Sequence, residues 1–227
     1  MDTHRAIVLL SGGMDSLVTA AIAVRDNDSV CFLHINYGQR TEDKELDCFV
    51  KICEYYRPQK SLVIHMDWLG QVGGSALTDK NIAVKDYDGS KQIPQTYVPF
   101  RNANFITAAV SWAEVIKADR IYIGAVEEDS SGYPDCREVF YTNMQKTIET
   151  GTKNEFPIHL VTPVIHLKKN EIVRQGLDLK APFEHSWSCY KDNKIACGIC
   201  DSCHLRLKAF QEAGVADPIP YAEGILK

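Results

Sequence analysis

The sequence lacks long hydrophobic runs and an excess of basic residues. No apolar stretch approaches the roughly 18 residues that a membrane helix requires, and the short polar start does not resemble a secretory signal. Lysine and arginine number 25 against 30 aspartates and glutamates, for a net charge of −5. This balance argues against a surface that neutralises many nucleic-acid phosphates. We therefore expect a cytoplasmic protein that acts on a small molecule, without membrane contact and without direct nucleic-acid contact.

The chain also lacks internal repeats and low-complexity segments, and at 227 residues it is too short for two large domains. Its apolar content of 45% is enough for one well-buried α/β core. We expect a main domain over residues 1–180 and a small C-terminal segment over residues 181–227 that packs on it.

A Ser-Gly-Gly-x-Asp-Ser loop stands between an apolar run at 6–10 and a helical pattern at 16–25. Glycines let the backbone turn tightly and approach an anion, and the N–H groups at the start of a helix attract phosphate. Asp15 can hold a divalent ion such as Mg²⁺. A plain capped turn is the alternative, but it would not need the second serine or the aspartate. The loop predicts an ATP site formed by Leu10, Ser11, Gly12, Gly13, Met14, Asp15 and Ser16.

This loop lacks the lysine with which a Walker A motif contacts the β- and γ-phosphates. It resembles the PP-loop of ATP pyrophosphatases. Those enzymes hold the β,γ-pyrophosphate as the leaving group while a substrate oxygen attacks the α-phosphorus. The resemblance implies an adenylated substrate and pyrophosphate as products.

Four of the eight cysteines cluster as C-x7-C-x2-C-x2-C, and the other four are scattered. Thiolates this close in sequence can surround one tetrahedral Zn²⁺, and such a closed site has a structural role because no position is left for water. An iron–sulfur cluster is the alternative, since the ligand set alone does not exclude it. The sequence predicts a structural zinc site at Cys189, Cys197, Cys200 and Cys203.

Strand and helix patterns alternate along the chain. Strands are predicted at 6–10, 30–36, 61–66, 121–126 and 159–163, and helices at 16–25, from 41 to shortly before Pro58, and at 101–117, 137–150 and 169–175. The order predicts an α/β fold with a doubly wound, mainly parallel sheet and helices on both faces. Residues 70–99 are polar and aperiodic, which indicates an active-site loop.

Further stretches accompany the loop: 97–105 (YVPFRNANF), 124–137 (GAVEEDSSGYPDCR), 162–172 (TPVIHLKKNEI) and 188–206 (SCYKDNKIACGICDSCHLR). Together they resemble the 7-cyano-7-deazaguanine synthases of the QueC family over nearly the whole chain. The resemblance implies an adenine nucleotide α-hydrolase-like fold and a carbon–nitrogen ligase of queuosine biosynthesis. Such an enzyme converts 7-carboxy-7-deazaguanine, ammonia and ATP to the nitrile through adenylated acid and amide intermediates, and releases AMP and pyrophosphate. Mg²⁺, a structural Zn²⁺ and a homodimer are implied as well.

Arg101, just before an apolar helix, is the predicted cation for the α-phosphate or the substrate carboxylate and joins Asp15 as a catalytic candidate. A flat deazaguanine needs aromatic or apolar walls and a carboxylate that accepts from its N1–H and 2-amino groups. The alternatives are a solvated arginine and plain packing of the aromatic rings. Lys168 and Lys169 are weaker candidates, because lysines before a helix are usually solvated. The predicted substrate-binding residues are Tyr97, Arg101, Asp129, Tyr133, Asp135 and Arg137.

Two other functions compete with this ligase. A PP-loop tRNA thiolase would favour paired reactive cysteines near the ATP loop and a basic docking domain, and the acidic balance weakens that hypothesis. A non-catalytic zinc module that binds nucleic acid or protein would leave the loop at residues 11–16 unexplained.

Overall fold

Five parallel strands form the sheet of this protein. The computed structural model describes residues 4–90, 92–127, 132–153, 155 and 157–225. The strands are β1 (Arg5–Leu9), β2 (Ser29–Asn36), β3 (Lys60–His65), β4 (Arg120–Ile123) and β5 (His159–Val161). They stand in the order β3-β2-β1-β4-β5, and every neighbouring pair is parallel. The predicted parallel sheet is confirmed.

The helices are α1 (Met14–Asp26), α2 (Glu42–Tyr56), α3 (Trp68–Val72), α4 (Arg101–Ile116), α5 (Glu138–Gly151), α6 (Lys169–Asp178) and α7 (Asp201–Ala213). Short 3₁₀ turns lie at Pro134–Cys136 and Phe183–His185. The sequence patterns did not predict α3 and α7. Helix α3 has only five residues. Helix α7 begins inside the cysteine cluster, where the spacing of the cysteines obscures the helical periodicity.

Helices cover both faces of the sheet, as predicted. In β1, Ala6 and Val8 pack in the hydrophobic cluster that contains residues of α1, α2, α6 and α7. Ile7 and Leu9 pack in the cluster on the other face, with residues of α4 and α5. Because side chains alternate along a strand, this continuous apolar run supplies both cores.

The strand order reverses between β1 and β4. The chain moves from β1 to β2 and β3 on one side and then continues with β4 and β5 on the other. In open parallel sheets, ligands bind at the carboxyl ends of the strands beside such a reversal. The loop after β1 and Gly124 after β4 lie at this point.

A long loop follows α3, close to the predicted bounds. The guanidinium of Arg40 donates hydrogen bonds to the carbonyl oxygens of Ala76 (2.5 Å), Asp79 (2.8 Å) and Ile82 (2.6 Å). These contacts satisfy backbone acceptors of a segment without regular structure. The loop is therefore anchored to the chain just after β2.

The C-terminal helix α7 packs against α6. Ala209 and Phe210 of α7 lie in the hydrophobic cluster that contains Ile172 and Val173 of α6, and the Arg174 guanidinium donates to the Glu212 carbonyl (2.9 Å). A division at residue 180 stays a prediction. In the part of the chain that is described, no helix has the length and apolar character needed to cross a membrane.

Candidate functional site

The loop after β1 turns sharply into α1. Gly12 has a φ of +88°, and a Cβ added there would lie 2.8 Å from the carbonyl oxygen of Glu45. The Ser11 hydroxyl accepts a hydrogen bond from the N–H of Gly13 (3.2 Å), and the Ser16 hydroxyl donates to the Gly13 carbonyl (2.9 Å). The two hydroxyl oxygens are 3.1 Å apart. Side chains thus hold the loop open above the first N–H groups of α1, the geometry of an anion site.

Asp15 extends into the cavity from the first turn of α1. Its Oδ2 accepts from the ammonium of Lys169, the first residue of α6, at 2.5 Å. Its Oδ1 is buried without a hydrogen-bond partner. Since a buried carboxylate oxygen is costly to leave unpaired, this atom suits a hard divalent cation.

Gly124 brings the end of β4 against the start of α1. An added Cβ would lie 2.8 Å from the Asp15 carbonyl carbon and 2.8 Å from the Ser16 nitrogen. A side chain at this position would therefore displace the aspartate. No sequence pattern marked Gly124 as a site residue.

Arg101 enters the same cavity from the first turn of α4. The residue before it, Phe100, has a φ of 57°, so the chain turns abruptly into the helix. The guanidinium donates to the hydroxyl of Tyr37 (3.0 Å) and lies over the rings of Tyr37 and Phe105, at 5.5 and 5.7 Å from their centroids. Its Nε is buried and has no hydrogen-bond partner.

No carboxylate of the described residues lies within ion-pair distance of Arg101. Burial opposes its charge, yet the phenol groups around it, Tyr37 first, raise the pKa of the guanidinium overall. Arg101 is a half-buried cation without a direct ion-pair partner, so an anionic group of a ligand can pair with it. The site is therefore electrostatically prepared for an anion.

One cavity of about 250 Å³ joins the loop to Arg101. Its polar end is formed by residues 11 and 13–16 together with Lys169. Burial raises the pKa of Tyr37 to about 12 and raises that of Tyr190 well above its ordinary value, so both phenols stay neutral. The aromatic residues that line the cavity are Tyr37, Phe105, Tyr133, Trp187 and Tyr190.

The clustered cysteines converge on one point. The four sulfur atoms all lie within 4.8 Å of one another, and those of Cys197 and Cys203 are 3.9 Å apart. Backbone N–H groups of Lys191 and Cys197 point at the Cys189 sulfur, both at 3.4 Å, and hydrogen bonds from the other thiols and these amides lower the pKa of Cys189. Zn–S bonds of about 2.3 Å in a tetrahedron place sulfurs roughly 3.8 Å apart. The arrangement is compatible with a metal site.

The stretch from Trp187 to Cys203, called the cysteine segment below, contacts the loop directly. The backbone N–H of Trp187 donates to the carbonyl of Gly12 (2.9 Å), and its indole N–H donates to the carbonyl of Asp192 (3.0 Å). The ammonium of Lys44 lies 4.8 Å from the centre of the Trp187 ring. One aromatic residue thus connects the cysteine segment, the loop and α2.

A buried ion pair supports this contact. Arg206 and Asp217 each have 1% of their side chains exposed and form a bidentate pair, at 2.7 and 2.9 Å. Arg206 also donates to the Ser186 hydroxyl (2.8 Å), and the Tyr221 hydroxyl donates to Asp217 (2.7 Å). The network ties α7 to the chain on both sides of the cysteine cluster.

Comparison with known proteins decides the family. Residues 5–214 match the family described as "Queuosine biosynthesis protein QueC". The chain belongs to the QueC family. A 7-cyano-7-deazaguanine synthase from Chlorobium chlorochromatii is 59% identical over 218 residues, which cover 96% of each chain. One from Chloroherpeton thalassium is 58% identical over the same length and coverage.

A solved structure shows the same fold at low identity. The U34-tRNA thiolase NcsA from Methanococcus maripaludis, described with its [4Fe-4S] cluster, superposes with a TM-score of 0.53 and 17% identity. The alignment covers 92% of this chain and 64% of the thiolase. At this identity the likeness concerns the fold alone, which is that of the PP-loop proteins, as the sequence predicted.

Within this QueC-family chain, the predicted substrate residues lie in different places. Tyr133 lines the cavity, and its hydroxyl is 2.8 Å from that of Thr96. Tyr97 packs on Tyr133, with ring centroids 5.7 Å apart, but Tyr97 does not line the cavity itself. Arg137 is exposed, and its Nε donates to the Pro134 carbonyl (3.1 Å). Asp129 lies outside the described residues.

Asp135 is buried beneath α4 rather than in the cavity wall. Its Oδ2 accepts from the backbone N–H of Asn102 (3.0 Å), and its carbonyl accepts from the Tyr141 hydroxyl (2.9 Å). It therefore caps the helix that carries Arg101. Three further residues line the cavity: Lys169, a weaker candidate from the sequence, and Glu45 and Tyr190, which no sequence pattern marked.

Proposed function

We propose that this chain is a 7-cyano-7-deazaguanine synthase that uses two ATP molecules to convert 7-carboxy-7-deazaguanine and ammonia to the nitrile. The observation that carries the proposal is one cavity in which the PP-loop faces Arg101 between aromatic walls, with the arginine Nε buried and without a hydrogen-bond partner. The family membership and the names of relatives up to 59% identical support it.

Activation of the acid is the first step. A carboxylate is a poor electrophile, so one of its oxygens attacks the α-phosphorus and the bond to the β-phosphate breaks. Pyrophosphate leaves on the loop, where the N–H groups of α1 and the hydroxyls of Ser11 and Ser16 stabilise its charge. Arg101 is placed to neutralise the α-phosphate or the substrate carboxylate as they approach. Lys169 adds a second cation next to Asp15.

Ammonia then attacks the acyl carbon of the adenylate, AMP leaves, and an amide forms. The amide oxygen attacks the α-phosphorus of a second ATP and displaces a second pyrophosphate. Elimination of AMP, with loss of both protons from the nitrogen, then gives the nitrile. Each of the two AMP molecules carries away one oxygen of the original carboxylate. The protein contributes positioning and electrostatic stabilisation, since ATP supplies the activation.

The metal requirements follow from two donor sets. Asp15, with its unpaired Oδ1, is the residue that would hold Mg²⁺, which neutralises phosphate oxygens when bound. Cys189, Cys197, Cys200 and Cys203 would hold a structural Zn²⁺. Elemental analysis of purified protein should give one zinc and no iron per chain. Trp187, two residues before the ligand Cys189, donates a backbone hydrogen bond to Gly12 of the loop. Removal of the ion by a chelator should therefore also weaken binding of a non-hydrolysable ATP analogue.

Further expectations belong to the same proposal. Free ammonia as the nitrogen source, the absence of a nucleic-acid partner, a homodimer and a cytoplasmic location all stay predictions. Sedimentation of the purified chain tests the dimer directly.

The proposal is tested by incubating the protein with ATP, Mg²⁺, ammonia and 7-carboxy-7-deazaguanine and following AMP, amide and nitrile by mass spectrometry. Nitrile with two AMP per turnover, lost in a folded Asp15→Ala variant, is the expected result. Amide as the final product would identify an amidating relative. No AMP in response to the acid would reject the proposal.

A further inference from the structure

The guanine edge of the proposed substrate requires a specific acceptor. Its N1–H and 2-amino group are neighbouring donors, and the two oxygens of one carboxylate can accept from both. A donor that loses water on entering the cavity and finds no protein acceptor there is costly. A carboxylate in the cavity wall is therefore the feature to look for.

Two carboxylates line the cavity among the described residues, Asp15 and Glu45. Asp15 belongs to the phosphate loop and is paired with Lys169. Asp135, expected from the sequence to meet the substrate, caps α4 instead. Among the residues that the structure describes, Glu45 in the first turn of α2 is left as the acceptor outside the loop.

Two hydrogen bonds orient the Glu45 carboxylate and leave acceptor positions free on both oxygens. The Thr41 hydroxyl donates to Oε1 (2.7 Å), and the side-chain amide of Gln39 donates to Oε2 (3.1 Å). The Gln39 oxygen in turn accepts from the backbone N–H of Tyr37 (2.8 Å), which sets the orientation of the amide. Each carboxylate oxygen keeps a further acceptor position.

The charges around Glu45 suit the same role. Burial raises the pKa of Glu45 overall, although the bonds from Thr41 and Gln39 and the charge of Arg101 favour the ionised form. A carboxylate acceptor and a cationic arginine in one cavity match a substrate that carries donors on its guanine edge and a carboxylate elsewhere.

We propose that Glu45 is the specificity-determining carboxylate that accepts hydrogen bonds from the N1–H and 2-amino groups of the deazaguanine. This inference rests on the proposed function. Tyr37, joined to both Gln39 and Arg101, places the acceptor and the cation relative to each other.

The test compares 7-carboxy-7-deazaguanine with the analogue that lacks the 2-amino group. The unmodified protein should prefer the full substrate by about 100-fold in kcat/KM, because the analogue leaves a buried acceptor unpaired. In Glu45→Gln, the preference should shrink to less than about tenfold, with most of the loss on the full substrate. Asp43→Asn, an exposed charge removal in the first turn of the same helix, should keep the preference.

Binding of a non-hydrolysable ATP analogue separates the outcomes. Unchanged nucleotide affinity in Glu45→Gln supports the proposal. Weaker nucleotide affinity with equal losses on both substrates would overturn it and assign Glu45 to the phosphate or metal end.

Failure of the unmodified protein to form AMP with either acid would instead contradict the proposed function. Thermal unfolding checks that the variant is folded. If Glu45→Gln does not fold, Glu45→Asp takes its place, because it retains the charge. This variant should still prefer the full substrate over the analogue, and it should bind the full substrate about tenfold more weakly.

Discussion

The phosphate loop and the substrate end of the cavity are built in different ways. The loop is a run of consecutive residues whose side chains bond to one another, as the Ser11 and Ser16 hydroxyls do. The substrate end is assembled from separate elements, with Tyr37 after β2, Arg101 on α4 and Tyr190 in the cysteine segment. A local site is determined by a motif, whereas an assembled one depends on long-range packing. Changes to that packing should therefore separate the two.

The largest expected effect is on the buried ion pair. Arg206→Met leaves Asp217 buried without its partner and should lower the free energy of unfolding by about 3–5 kcal/mol in urea titrations. The double variant Arg206→Met with Asp217→Leu removes both charges and should recover much of this loss. Equal losses in the single and double variants would show that packing, not the unpaired charge, is responsible.

The Arg206–Asp217 pair also tests whether the phosphate loop and the substrate end of the cavity can be separated. In the folded single variant, affinity for the deazapurine acid should fall more than affinity for an ATP analogue, because Arg206 lines the cavity but does not contact the loop. Equal losses would indicate that the loop depends on the C-terminal segment as strongly as the substrate end does.

Arg101 comes next in magnitude. Arg101→Ala should lower kcat/KM for AMP formation by about 10²–10³, the usual cost of removing one well-placed donor to a developing charge. Arg101→Lys should recover only part, since an ammonium cannot form the two parallel bonds of a guanidinium. Arg25→Ala, at an exposed pair with Asp26, is the control for loss of positive charge. Full activity in Arg101→Ala would remove this residue from the mechanism.

The sequence predicts the local site and little of the assembled one. The first strand was expected at 6–10 and the first helix at 16–25, and they are found at 5–9 and 14–26, because periodicity and glycines act over a few residues. The cysteines converge as their spacing indicated.

Glu45, Lys169 and Tyr190 reach the cavity only through packing of elements far apart in sequence. No short-range pattern marks them. Asp135 is the opposite case. It lies in a loop that was predicted to bind the substrate, but its side chain accepts a hydrogen bond from the start of α4.

Gly124 tests how far the local loop needs support from β4. Gly124→Ala places a methyl group against the Asp15 backbone and should cost about 1–3 kcal/mol of stability, with weaker ATP-analogue binding. Gly151→Ala, where an added Cβ meets nothing within 4 Å, is the matched control and should not lower the melting temperature. Normal nucleotide binding in Gly124→Ala would mean that the loop is independent of the neighbouring strand.

The smallest expected effect concerns His34, which joins β2 to the start of the loop. Its ring is fully buried beside Phe49, and Nδ1 lies 2.9 Å from the carbonyl oxygen of Leu10. Burial lowers the pKa of His34 below its ordinary value. Its other ring nitrogen, Nε2, lies 2.9 Å from the Asn36 side-chain oxygen. A neutral ring has one N–H, so if Nδ1 donates to the Leu10 carbonyl, the Asn36 amide must turn its nitrogen toward Nε2.

Its contribution to stability is present above about pH 6.5, the ordinary histidine pKa. As the pH falls, the unfolded chain binds a proton that the folded ring does not, and stability decreases by at most about 1.4 kcal/mol per pH unit until the folded ring also protonates. His34→Asn keeps a donor near the Leu10 carbonyl but cannot titrate, so the slope of unfolding free energy against pH should flatten in this range. If the slope does not change, His34 does not link the loop to β2 through its charge state. If the slope flattens, even the local site depends on a side chain from the neighbouring strand.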